Sequence, residues 1–170
     1  MGFLDLIHGG RMDNAMVNNP EFRSLLTQVI EEKIPFCQLL GMKVASLDPD
    51  QPQLTFAMRD VLLGNFANGM LHGGVIASVL DSVAGLAILL KMATLTPKED
   101  VFSQIREFGL MSTIDLRIDY LQPGKGVSFT AQAEVTRLGK RVANVLMELR
   151  NDKGERIATG AAAFMLYGRT

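Results

Sequence analysis

At 170 residues, with 48% hydrophobic and 21% charged side chains, the chain can bury one core and suits one domain. A net charge of -1 and the lack of tryptophan argue against a nucleic-acid surface, an anionic-membrane surface and a base-stacking platform. The single cysteine, Cys37, leaves no intrachain disulfide and points to a reducing, cytoplasmic setting in which the thiol is buried filler.

The opening "MGFLDLIHGGRMDN" has no basic n-region and no small-residue cleavage site, so it does not read as a signal peptide. Leu6 stands where a myristoylation signal wants Ser or Thr. No apolar run reads as long enough to cross a bilayer. Asn19-Pro20 marks a helix start, a cap followed by proline in the first turn. Leu25, Leu26, Val29 and Ile30 keep helical spacing until Pro35 ends or kinks the helix. "FCQLLGM" makes a second short turn, and "MKVASLDPDQPQLTFAM" predicts two short strands around a turn. The segment 71–91 predicts one long helix, with Val75, Val79, Val83, Leu86 and Leu90 on one face. "LTPKEDVFSQIREFG" predicts a loop holding a short amphipathic helix.

The last third alternates as strands do. In "STIDLRIDYL", Ile114, Leu116, Ile118 and Tyr120 point one way, and Thr113, Asp115, Arg117 and Asp119 the other. "VSFTAQAEV" and "VANVLMEL" alternate likewise, and "RIATGAAAFML" reads as a more fully buried strand. Glycine-containing breaks, "QPGKG", "RLGKR" and "NDKGE", separate these runs and predict tight hairpins. Four strands so joined make an antiparallel meander covered by the long helix, an α+β domain. Residues 1–40 form an N-terminal helical extension and 41–170 the main domain.

One residue of the long helix is out of character. Asp81 has Ala77, Ser78, Ala84 and Gly85 as its neighbours three and four positions away. A carboxylate among small residues is one that a ligand or another backbone can reach, and burying it is costly without a partner. His72, Gly73 and Gly74 stand at the helix start, where N–H groups lack acceptors and the dipole is positive, so a ligand oxygen can approach closely. Eight residues separate Gly73 from Asp81, about 12 Å along the axis. Both groups can serve one reacting carbonyl only if Gly73 of one subunit meets Asp81 of another, as in a two-fold dimer. A Ser-His-Asp triad through Ser78 or Ser82 is the other arrangement of these residues, without the G-x-S-x-G elbow. Metal is not expected, since His72 and His8 are too few for a zinc site.

The stretch "GMLHGGVIASVLDSVAGLA", with its acid nine residues after the histidine of H-G-G, resembles the hotdog-fold acyl-CoA thioesterases of the PaaI-like, phenylacetate-degradation family. The resemblance continues through "TIDLRIDYLQPG" and "AEVTRLGKRVANVLMELRNDKGERIATGAAAF". It implies a curved antiparallel sheet wrapped around one long helix, a homodimer or a dimer-of-dimers homotetramer, and composite active sites. Asp81 would be nucleophile or general base, Gly73 N–H from the opposing subunit the oxyanion donor, and His72 the residue that orients that turn. Thr113 would position water. Related enzymes carry Asn or Gln six residues before the histidine; Phe66 stands there, and a one-residue shift brings Asn65 into the role. Arg137, Lys140 and Arg141 would meet the phosphates of CoA, which is part of the substrate, so no separate cofactor is implied. The alternative is a non-catalytic acyl-CoA binding or sensing module; a hotdog dehydratase acting on a carrier-bound chain is a third reading.

Overall fold

In the computed structural model, which describes residues 15–168, the first substantial helix begins where Asn19 and Pro20 put it. A short α1 (Ala15–Asn18) leads into α2 (Pro20–Gln28), and the Asn19 side chain accepts hydrogen bonds from the Glu21 and Phe22 N–H groups at 2.8 and 3.4 Å. Proline disfavours a helical residue before it. The helix therefore widens into a π turn over Val29–Lys33, Ile34 becomes extended, and α3 (Pro35–Leu40) starts afresh. Gly41, at φ 70°, closes α3 in the left-handed conformation. The leader and lipidation motifs and His8 lie outside the described residues.

These helices share the core of the main domain: Val17, Phe22, Leu26 and Ile30 are at most 2% exposed and join the cluster around the long helix. Phe22→Ala is expected to cost about 3–5 kcal/mol. A urea titration will read this as a lower unfolding midpoint, and an unchanged midpoint would mean that the N-terminal helices hold nothing together.

The remaining elements are β1 (Lys43–Asp48), β2 (Gln51–Ala57), β3 (Leu63–Asn65), β4 (Met70–Leu71), α4 (Gly73–Leu95), α5 (Val101–Arg106), β5 (Met111–Tyr120), β6 (Ser128–Leu138), β7 (Val142–Asn151) and β8 (Arg156–Leu166). Six strands form an antiparallel sheet in the order β1-β2-β6-β7-β8-β5. Strands β6, β7 and β8 make the expected meander. β5 does not join it through a hairpin; it pairs with β8 at the far edge. After Tyr120 the chain instead crosses the start of α4, where the Leu71 N–H donates to the Gly124 carbonyl at 3.0 Å. A crossing loop needs the same turn residues as a hairpin, so "QPGKG" reads alike in both cases.

One sheet face delivers Phe56, Phe129, Ala131, Ala143, Val145 and Phe164 to the core. Phe56 and Phe129 pair directly across β2 and β6, with ring centroids 5.2 Å apart. β8 is not uniformly buried. It alternates, with Thr159, Ala161 and Ala163 half-exposed on the outer face. α4 runs to Leu95 and is long and apolar enough to cross a membrane, which corrects the reading that no segment reaches that length. Most of its surface is buried by this chain's own sheet and by α1.

Candidate active site

Asp81 lies about a third of the way along α4, half-buried, and its Oδ1 accepts a hydrogen bond from Thr113 Oγ1 at 2.8 Å. Strict alternation along β5 puts Thr113 on the face opposite Leu116 and Ile118. A β-bulge reverses that. Thr113 pairs with Phe164 and Asp115 with Ala163, so Ile114 is an extra residue in the ladder. Thr113 thereby shares the helix-facing side with Leu116, and the hydroxyl meets the carboxylate. The bond occupies one carboxylate oxygen and orients the group.

These two residues line a cavity of about 220 Å³. Ser82 and Ser112 add polar groups to its wall, and Leu54, Gly85, Phe108, Met111 and Phe164 add apolar surface. The N-terminal helices supply the rest of the wall through Ile30, Ile34, Phe36 and Cys37. Cys37 is 5% exposed. Burial raises its thiol pKa, against a smaller opposing effect of the Ser82 hydroxyl, so the thiol stays protonated and unreactive.

The helix start is built by a different set of residues. His72 is the N-cap of α4: its Nδ1 accepts from the Gly74 N–H at 2.9 Å, and its own N–H donates to the Leu62 carbonyl. Gly64 of β3 lies against it; a Cβ there would sit 2.6 Å from the His72 Cα, so only glycine permits the approach. Tyr120 Oη donates to the Gly73 carbonyl at 3.0 Å. Among the described residues, nothing accepts a hydrogen bond from the Gly73 N–H. Gly73 and Tyr120 line a second, open concavity with Leu71, Ile76 and Gly124. Within one chain, then, the acid and the free N–H belong to separate cavities.

The serines do not form a triad. Ser78 Oγ donates to the Gly74 carbonyl and Ser82 Oγ to the Ser78 carbonyl, and His72 is held by its cap, nine residues from Asp81. Asn65 is exposed and caps the one-turn helix Phe66–Asn68, its side chain accepting from the Asn68 N–H at 3.1 Å. Phe66 is 87% exposed. Arg137, Lys140 and Arg141 are exposed at the β6–β7 turn. The register Thr113–Phe164–Ala143–Leu138 puts that turn at the same end of the sheet as Asp81. Ala143 is two strands from Thr113, or about 10 Å.

Sequence reading missed Gly64 and Tyr120. A glycine in a loop-like stretch carries no mark of what it packs against. Tyr120 reads only as one more apolar position on β5.

The model of the thioesterase superfamily matches residues 68–158, which span α4 and most of the sheet. The chain belongs to the thioesterase superfamily. It is 37% identical to the medium/long-chain acyl-CoA thioesterase YigI of Escherichia coli K12 over 90% of this chain and 99% of that protein. Coverage that wide takes in much of the N-terminal helices, which the family model leaves out. A crystal structure of a Shewanella oneidensis protein related to the thioesterase superfamily superposes with a TM-score of 0.79 at 34% identity, covering 87% of this chain and 99% of that one. Escherichia coli PaaI, from the phenylacetic acid degradation operon, shares the fold at TM-score 0.68 and 19% identity, over 88% of this chain and 96% of its own. The sheet and helix are those of a hotdog domain, as the motif resemblance implied.

Proposed function

We propose that the protein hydrolyses acyl-CoA thioesters to CoA and a free carboxylic acid. The observation that carries this reading is the hydrogen-bonded carboxylate of Asp81 in the wall of a largely apolar cavity. The acyl-CoA thioesterase YigI, alike over nearly the whole chain, supports it. Asp81 takes a proton from water through the oxygen that Thr113 leaves free, and the hydroxide adds to the thioester carbon. The resulting oxyanion is held by a backbone N–H. Collapse expels the CoA thiolate, which receives the proton.

The oxyanion donor is the Gly73 N–H of a second protomer. It lies in a separate cavity from Asp81 of its own chain, and no described residue accepts a hydrogen bond from it, which supports a site shared across a homodimer. β5 adds support, as an edge strand with Ile114 and Tyr120 each 54% exposed. Arg137, Lys140 and Arg141 lie at the Asp81 end of the sheet and would receive the CoA phosphates. Asn65 stands on the loop that leads to Gly73 and would serve the same half of the site.

The test is release of free thiol from a panel of acyl-CoAs. Steady turnover at catalytic enzyme concentrations is expected; acyl-CoA binding without thiol release would establish the binding module instead. Thr113→Ala should lower kcat about tenfold, the loss of one charge-assisted hydrogen bond expressed as rate. Thr113→Ser should restore most of it. Equal rates for all three proteins would remove Thr113 from the reaction.

A further inference from the structure

We propose that Tyr120 is a positioning residue for the reaction: it holds the first turn of α4, and with it the direction in which the Gly73 N–H points. The proposal rests on the thioesterase reading and adds a residue to that same site.

The helix start needs such a hold. Helix ends fray, and Gly73 and Gly74 are the residue type that loses most freedom on being ordered. Each glycine has its own anchor. At Gly74 it is His72, whose Nδ1 accepts from the Gly74 N–H at 2.9 Å. A Cβ at Gly74 would lie 2.9 Å from that same atom, so the cap and the glycine require each other. Gly73 is anchored from outside the helix. Tyr120 Oη donates to its carbonyl at 3.0 Å, and a Cβ at Gly73 would lie 3.4 Å from Tyr120 Cε1 and Oη. The phenol therefore packs on the glycine as well as bonding to it. Apart from the His72 cap it is, among the described residues, the one side chain outside α4 that hydrogen-bonds to the first turn. In a helix the N–H and C=O of one residue point in opposite directions along the axis. A tether on the Gly73 carbonyl thus leaves the N–H open to a ligand.

The surrounding chain does not depend on this bond. The loop after Tyr120 is fastened separately, through the Leu71 N–H donating to the Gly124 carbonyl at 3.0 Å. Gly124 also packs closely on Leu71, where an added Cβ would lie 3.0 Å from the Leu71 Cβ. Tyr120→Phe keeps the ring and removes only the hydrogen bond. The same strand, β5, carries Thr113, which orients Asp81. One strand thus fixes the acid through one residue and the amide through another.

The experiment compares wild type, Tyr120→Phe, Gly73→Pro and the double variant on the panel acyl-CoA that wild type turns over fastest. Tyr120→Phe should lower kcat about three- to tenfold, one neutral hydrogen bond expressed as rate, with KM within about twofold of wild type. In the Gly73→Pro background, which lacks the N–H being positioned, the same change should cost less than about twofold. A residue that only braces the fold or the sheet edge would cost the same in both backgrounds. Amide exchange in protein labelled with ¹⁵N-glycine gives a readout separate from catalysis: exchange at Gly74 should quicken about three- to tenfold in Tyr120→Phe as the turn opens more often. An unchanged kcat, a loss confined to KM, an equal loss in the Gly73→Pro background or unchanged exchange at Gly74 would each overturn the proposal and leave the hydrolytic reading in place. If wild type hydrolyses nothing while Gly74 exchange still quickens, the hydrolytic reading fails and the hold on the helix start stands.

Discussion

Asp81→Asn is expected to lower thioester turnover by about 10²–10⁴-fold, the usual contribution of a positioned general base, with little change in stability. The amide oxygen of asparagine still accepts the hydrogen bond that Thr113 Oγ1 now gives to Asp81 Oδ1 at 2.8 Å. What disappears is the capacity to take a proton from water. The variant should melt where wild type does and still bind acyl-CoA. Turnover within about threefold of wild type would remove Asp81 from the chemistry, because a base that contributes so little lies far below the range for this type of catalysis.

The second large effect is the recovery of activity from two inactive proteins. Gly73→Pro deletes the proposed oxyanion donor and suits its position. Gly73 is the first residue of α4, where proline is favoured, and His72 before it is already extended, at φ -66° and ψ 135°. Loss of one oxyanion donor is expected to lower kcat about 10²–10³-fold. If each site takes Asp81 from one protomer and Gly73 from its mate, unfolding Asp81→Asn and Gly73→Pro together in equal amounts and refolding the mixture rebuilds good sites. Half of the dimers are mixed, and each mixed dimer has one intact site of two, so about a quarter of wild-type turnover returns. Were the site contained in a single chain, the mixture would stay as inactive as its components.

Much of the fold is legible in the chain because its signals are local. The Asn19-Pro20 cap, the break at Pro35, the apolar period of α4 and the alternation of β6 and β7 each depend on residues a few positions apart. The acid on α4 and the glycines at its start are visible for the same reason. The partners of those groups are not. Thr113 faces Asp81 only because Ile114 bulges out of the ladder, and a bulge reverses the facing of every residue before it without altering the period on either side. The edge position of β5 was likewise hidden, since the loop after Tyr120 is held by Leu71, fifty residues earlier.

Local patterns in the chain suffice to show that a long apolar helix carries one carboxylate in a setting of small residues and starts in a pair of glycines. Spacing along one helix also requires those two features to be about 12 Å apart, and no tertiary contact can change that. Only the folded chain brings the N-terminal helices in to complete the core and wall the cavity beside Asp81, and sets Tyr120 and Gly64 against the helix start. The difference is one of range. Periodicity, caps and turns are set by neighbours in sequence, whereas a wall, a bulge register and a close backbone approach arise only when distant segments meet.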